Sequence, residues 1–409
     1  MPETLIMRRL EQLAELSDEP GGLTRLFLSP AHARAVALVA EWMREAGLTT
    51  HLDAIGNLVG RRGEGKTLLL GSHIDTVRDA GWYDGNFGVL AAIAAVQAAG
   101  DLPYAVEVIA FGDEEGVRFP QTLSGSRALA GSFNPAALAG RDAEGVSMAE
   151  ALTAFGGNPD AVPAIARAPQ TILGYVELHI EQGPVLEAAA LAAGVVTAIN
   201  GASRFTVTVT GQAGHAGTVP MAMRRDALTA AAEMLLAVEA VGRASPDLVA
   251  TVGALSLHPG APNSVPGSVK FSIDVRAPVD AARFDAVLAM TATLDRIAAS
   301  RNVDLSLTQT HDAPAVACAP WLQAQLAEAL AARGLPVLHL PSGAGHDAMA
   351  MADLCPVGML FIRCRGGISH TPAESITPAD ADIAVDALTD FLRKFRPHDD
   401  HADHADHDD

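Results

Sequence analysis

Leu68, Leu69 and Leu70 run apolar without alternation, and polar residues begin only where that run breaks off, at Gly71-Ser72-His73-Ile74-Asp75. A strand buried on both faces reads this way, whereas a strand with one wet face alternates. Val106-Glu107-Val108-Ile109-Ala110-Phe111 behaves similarly and ends at Gly112-Asp113-Glu114-Glu115-Gly116. Such strands need helices on both sides. The chain is therefore constrained to an α/β architecture whose chemistry gathers at the carboxyl edge of a mostly parallel sheet.

The order of elements fills in that frame. Residues 1–18 and 30–46 read as amphipathic helices, followed by strands around 48–60, 67–72, 105–111 and 173–180, with an apolar helical run from Asp84 to Gly100. A long connection punctuated by Gly and Pro, 131–170, precedes the fourth strand. From about 203 the pattern changes: Arg204-Phe205-Thr206-Val207-Thr208-Val209-Thr210 alternates with period two. Helices at 224–242 and 280–300 and strands at 248–257, 268–276 and 303–309 then complete a ferredoxin-like βαββαβ unit. After Ala313 the αβ alternation returns, with a helix at 321–333, strands at 336–340 and 356–363 and a helix at 378–396. The expected organisation is a catalytic domain in two parts, 1–202 and 313–396, interrupted by a lid and dimerisation domain at 203–312. A His/Asp-rich tail, 397–409, can bury nothing and is expected to be disordered; its four histidines offer at most loose metal binding.

Composition excludes several partners. The 409 residues carry a formal charge of −20, and six acids of the last dozen residues account for part of it, leaving −14 for the rest. Nucleic acid and anionic membranes are repelled by such a chain. No apolar stretch reaches the length of a membrane span, and the first residues lack a signal-peptide core, so the expected location is the cytoplasm. Cys318, Cys355 and Cys364 are odd in number and form no CxxC pair, which fits reduced, buried thiols.

The residues at the strand ends are of the types that bind metal. His73 and Asp75 are two apart, so on an extended backbone both point to one side, and the carboxylate can hold the imidazole while its other nitrogen meets a cation. Asp84 opens a helix; Glu114 and Glu115 can divide labour between ligating a metal and acting as general base. His179 lies at the end of the fourth strand and His370 in the glycine-rich stretch Gly366-Gly367-Ile368-Ser369-His370. Each has an ordinary alternative: a hydrogen-bonded core histidine, a helix cap, a solvated acidic turn. Taken together they supply three imidazoles and two carboxylates, enough for two metals if Asp84 bridges, each with three protein ligands and an open position.

The motifs HIDTV, YDGNFG, FGDEEGVRF, ELHIEQGPVLE, GHAGTVPM, SGAGHDA and ISHTPAE together resemble the hydantoinase/carbamoylase branch of the dinuclear metal aminoacylase and carboxypeptidase superfamily. The resemblance runs from the first helix to about residue 396. It implies a zinc-peptidase-like catalytic domain with two divalent ions, zinc first, with manganese and cobalt as alternatives. His73, Asp84 and His179 would hold one and Asp84, Glu115 and His370 the other. Glu114 would be the general base and Asp75 would orient His73. Gln182, His215, Asn263 and Arg276 match substrate-contacting positions, Arg276 as a carboxylate clamp and His215 as an oxyanion stabiliser reaching across a homodimer. The presence of His179 where the related peptidases carry an acidic ligand favours this branch.

Read on their own, some of these residues have competing explanations. Arg276 shares a strand face with Asp274, so a local ion pair competes with the clamp; Asn263 fits a plain turn residue as well as a substrate contact; His346 is placed in the pocket lining without a defined role. The implied activity is cleavage of the ureido C–N bond of a small carboxylated N-carbamoyl compound, allantoate or an N-carbamoyl-L-amino acid, with release of ammonia and carbon dioxide. An aminoacylase or dipeptidase, and a non-catalytic metal-binding protein on the same fold, are the rivals.

Overall fold

A computed structural model describes residues 4–398. The expected disorder of the tail falls from 399 onward outside those residues. Two compact units form: one from residues up to 197 together with 318–340 and the residues from 345 on, the other from 198–317 and 341–344. Among the described residues no helix is long and apolar enough to cross a membrane.

The first unit is built on a sheet that includes β1 (Thr49–Leu52), β2 (Leu58–Arg62), β3 (Thr67–His73), β4 (Ala105–Phe111), β5 (Ile172–Ile180), β6 (Ala193–Ile199) and β7 (Val357–Ile362). Their spatial order is β1-β2-β4-β3-β5-β7-β6. The four central strands, β4, β3, β5 and β7, run parallel, and the flanking pairs are antiparallel. Every residue of β3, β4 and β7 is buried, as unbroken apolar runs require. The helices Leu5–Ala14, Pro30–Glu45, Asn86–Ala99, Pro320–Ala331 and Pro378–Lys394 contribute to the main apolar core with these strands. Asn86–Ala99 is buried on nearly all sides, which its alanine-rich sequence permits.

Several boundaries differ from the sequence expectation. The first helix spans only Leu5–Ala14. The run at 48–60 is a hairpin, not one strand. Asp53 breaks it by accepting hydrogen bonds from the N–H of Ile55 (3.1 Å) and Asn57 (2.9 Å), a side-chain turn that competes with the ladder. The connection 131–170 contains the helix Met148–Phe155, fixed by a reciprocal capping box between Ser147 and Glu150. It covers a separate apolar cluster including Phe27, Ile55, Phe119 and Leu152. β6 was absent from the expected elements.

The second unit is an antiparallel sheet in which Leu255–His258, Ser268–Ala277, Gly201–Thr210 and Asp304–Ala313 lie side by side in that order. Phe205, Val207, Val209, Phe271, Ile273 and Val275 pack against Met234 and Val238 of the helix Ala227–Gly242 and Met290 and Leu294 of the helix Asp280–Arg301. The alternate residues, among them Arg204, Thr206, Ser272 and Asp274, fall on the opposite face. Sequence order and sheet order together are those of a split βαββαβ unit. It is wider at both ends than the 203–312 read from the sequence.

Candidate metal centre

Each of the four parallel strands delivers a polar residue at its carboxyl end. His73 closes β3; Glu114 and Glu115 follow β4; His179 is the penultimate residue of β5; and His370 lies in the loop after β7. Asp84 enters from the turn before the helix Asn86–Ala99. Gly85 makes that approach possible, because a Cβ at this position would lie 2.5 Å from the His73 ring. Arg25, fully buried, fixes the turn from below: its Nε donates to the Ile74 carbonyl (2.6 Å) and its guanidinium to Asn86 Oδ1 (2.5 Å) and the Leu13 carbonyl (2.7 Å).

The two oxygens of Asp84 face different partners. Oδ1 lies 3.5 Å from His73 Nε2 and 3.1 Å from His179 Nε2; Oδ2 lies 3.2 Å from His370 Nε2. His370 Nε2 is in turn 3.9 Å from Glu115. Ligand atoms of His73, Asp84 and His179 lie within 4.8 Å of one another, as do those of Asp84, Glu115 and His370. The first triad is buried, and the His370 side chain is 52% exposed.

Ring orientation suits cation binding. His73 Nδ1 faces the backbone carbonyl of Asp75 at 2.9 Å and His179 Nδ1 that of Ile180 at 2.8 Å, so each ring presents Nε2 to the centre. Burial disfavours a charged ring at both positions, yet the hydrogen bond to Asp84 and the surrounding carboxylate charges together outweigh it and raise the pKa of each. The same three imidazoles hold Asp84 well below the usual carboxylate range against its burial. A carboxylate surrounded by imidazolium-like rings is a set of donors waiting for a cation to replace the protons, so the donor set fits divalent metal.

The structure corrects the role read for Asp75. Its carboxylate is 3.9 Å from His73 Nδ1, too far for a hydrogen bond. It instead accepts from the N–H of Glu114 (3.2 Å) and of Glu115 (3.3 Å), while its own backbone carbonyl orients the ring. Glu114 sits 3.9 Å from His73 Nε2. Burial and then the neighbouring Glu115 charge push its pKa well up, against the pull of His73. Asp113, just before it, adopts φ +67°, an unusual backbone for a residue with a side chain, as do Gln182 (+55°) and His370 (+58°).

Gln182 donates from Nε2 to Asp84 Oδ2 (2.8 Å) and to Ser369 Oγ (3.2 Å), and its buried Oε1 has no hydrogen-bond partner among the described residues. His346 is 1% exposed, and its ring meets that of His179 edge-on with centroids 4.5 Å apart, so it packs directly against one of the candidate metal-binding rings. In the second unit, Arg276 forms the local ion pair: Nε and Nη2 each meet Asp274 at 2.9 Å, and Nη1 donates to the Gly343 carbonyl (2.6 Å). His215 lies on a two-residue ladder against Ser264, with the Asn263 carbonyl accepting from the Ala216 N–H at 2.9 Å. Both His215 and Asn263 are exposed.

Sequence reasoning missed Glu177. It is fully buried beneath His179 and accepts from Ser72 Oγ (3.0 Å), the Tyr175 hydroxyl (3.1 Å) and the Ala348 N–H (3.0 Å). The signal was present: Tyr175, Glu177 and His179 are spaced by two on one strand and share a face.

Residues 69–394 match Peptidase family M20/M25/M40. The chain is 42% identical to an N-carbamoyl-L-amino acid amidohydrolase of Geobacillus stearothermophilus, over 94% of its own length and 96% of that protein's. It is 42% identical to an allantoate deiminase of Arabidopsis thaliana, over 94% and 81%. Its fold superposes on a crystal structure of a hydantoinase/carbamoylase family amidase from Burkholderia multivorans with a TM-score of 0.91 at 33% identity, covering 96% of this chain and 98% of that one.

Proposed function

The chain belongs to Peptidase family M20/M25/M40, within its hydantoinase/carbamoylase group, and on that premise we propose that it hydrolyses the ureido C–N bond of small carboxylated N-carbamoyl compounds. Divalent metal ions are its cofactor. The observation that carries the reading is Asp84, whose Oδ1 meets two imidazoles and whose Oδ2 meets a third. We assign His73, Asp84 and His179 to one ion and Asp84, Glu115 and His370 to a second, with zinc favoured by the mixture of imidazole and carboxylate. When bound, such ions supply Lewis acidity that polarises a carbonyl and acidifies water.

The side chains do the rest. Glu114 removes a proton from the attacking water and returns it to the leaving nitrogen; its raised pKa suits it to both tasks. Water adds to the carbamoyl carbon, the terminal C–N bond breaks to release ammonia, and the carbamate left on the other nitrogen then takes up a proton and loses carbon dioxide by breaking its own C–N bond, which frees the amine product. Gln182 orients the ureido group. Arg276 binds the substrate carboxylate with the guanidinium hydrogens that Asp274 and Gly343 leave over, and Asn263 contacts it from the same unit. His215, whose Nδ1 accepts from the Gly217 N–H at 3.1 Å, keeps Nε2 to donate to the oxyanion across a homodimer formed through the second unit.

The test is ammonia release from allantoate, ureidoglycolate, 3-ureidopropionate and several N-carbamoyl-L-amino acids, on enzyme loaded with zinc, manganese or cobalt, beside amino-acid release from dipeptides and N-acyl amino acids. Turnover of at least one ureido compound well above any amide is expected. Faster cleavage of dipeptides would replace this reading with a peptidase.

A further inference from the structure

Glu374 belongs to the loop after β7, is 5% exposed, and takes no part in the chemistry assigned above. Burying a carboxylate is costly unless every oxygen is well hydrogen-bonded, so its partners show its purpose. Oε1 accepts from the N–H of Tyr83 (2.8 Å) and of Asp84 (3.1 Å), and Oε2 accepts from Ser369 Oγ (2.9 Å). The Asp84 loop lies so close that a Cβ at Gly81 would come within 2.3 Å of the Glu374 carboxyl carbon. One side chain thus joins two loops nearly three hundred residues apart in sequence, one carrying Asp84 and the other His370.

Ser369 sharpens the argument. Its hydroxyl has one hydrogen but lies within reach of two carboxylate oxygens, Asp84 Oδ2 at 3.0 Å and Glu374 Oε2 at 2.9 Å, while Gln182 donates into it. Once a cation occupies Asp84 Oδ2, Glu374 is the acceptor that remains for that hydrogen. The bond from Ser369 to Glu374 then fixes the residue preceding His370, whose backbone is left-handed (φ +58°). We infer that Glu374 is a positioning residue that sets the spacing of Asp84 and His370 and thereby selectively tunes the affinity of the second metal position. The inference rests on the ligand assignment made under the proposed function.

The experiment titrates Co²⁺ and Zn²⁺ into chelator-treated wild type, Glu374→Ala, Glu374→Gln and Ser369→Ala, counting bound ions per chain and following the Co²⁺ visible spectrum. Wild type is expected to bind two. Glu374→Ala should keep the first with its spectrum unchanged and bind the second at least tenfold more weakly. Glu374→Gln should restore most of that loss, because its amide oxygen can still accept both N–H groups and its amide nitrogen can donate to Ser369. Ser369→Ala leaves the Tyr83 and Asp84 N–H bonds intact, so it tests the link even if the alanine variant at 374 fails to fold; it should also weaken only the second ion. Wild-type affinity for both ions in Glu374→Ala and Ser369→Ala, or weakening of both ions together without rescue by glutamine, overturns the inference while leaving the metal centre standing. A wild type that binds no divalent ion overturns the ligand assignment itself.

Discussion

The carboxylate of Asp75 accepts the peptide N–H of Glu114 at 3.2 Å, so the residue two positions beyond His73 fixes the backbone of the side chain proposed as general base. The bond crosses from the end of β3 to the end of β4, neighbours in the sheet. It makes the geometry of Glu114 depend on a side chain that touches no reacting atom.

Replacing Asp75 by Asn separates the two roles considered for it. The amide can accept with only one atom, so one of the N–H groups of Glu114 and Glu115 loses its partner, worth about 1.5–3 kcal/mol for a bond to a charged group. Turnover should fall roughly 10- to 100-fold. Bound metal should stay at the wild-type level, because His73 is oriented by a backbone carbonyl that the substitution leaves in place. Kinetics alongside metal analysis checks this; loss of metal comparable to that in His73→Ala would return the carboxylate to the imidazole.

Glu114→Gln removes the proton acceptor and keeps the shape. Since Glu114 belongs to neither triad assigned to metal, the variant should hold its ions and lose about 10²–10⁴-fold in kcat. Near-normal turnover would take Glu114 out of the mechanism.

Arg276 is already committed on two sides, to Asp274 and to the Gly343 carbonyl, so it meets any substrate as a fixed fork and not as a swinging arm. Arg276→Lys should raise KM for carboxylated substrates by about tenfold or more with a smaller effect on kcat, since a lysine cannot serve Asp274 and a carboxylate in the same geometry. An unchanged KM would mean that the guanidinium serves only the ion pair.

The sequence made the strand-end residues legible because unbroken apolar runs mark strands buried on both faces, and the residue after each run then has a known place at the sheet edge. His73, Glu114, Glu115 and His179 follow from that logic. The helix inside 131–170 and strand β6 were not legible, since short elements held by a capping box or by neighbouring strands leave little periodicity to detect. Asp75 shows a different limit. Two-residue spacing places two side chains on one side of an extended strand, but the chain leaves the strand at His73, and the carboxylate turned to a neighbouring loop 39 residues away in sequence. Glu374 closes the motif ISHTPAE and yet carries no signal of burial in the sequence, because only the fold brings the Asp84 turn against it.

Acid stability should depend on a residue outside the centre. His32 is fully buried, stacked on Phe155 with ring centroids 5.0 Å apart, and its Nδ1 accepts from the Leu28 N–H at 3.0 Å. Burial, followed by the charges of Arg25 and Arg118, lowers its pKa to about 3 from 6.5. Between those values the unfolded chain binds a proton that the folded chain refuses, so stability is lost as pH falls from 6.5 toward 3. At one pKa unit per about 1.4 kcal/mol, the loss reaches roughly 2 kcal/mol by pH 5. His32→Gln does not titrate and keeps an acceptor three residues after Ser29, the capping-box position. The variant should be the less stable protein at pH 7, having lost the ring stack, and its deficit should shrink as pH falls. Urea unfolding of both proteins at pH 7, 6 and 5 gives the difference directly, and the other titrating groups, being common to the two chains, largely cancel from it. A deficit that stays constant across that range would show that the buried ring does not resist protonation.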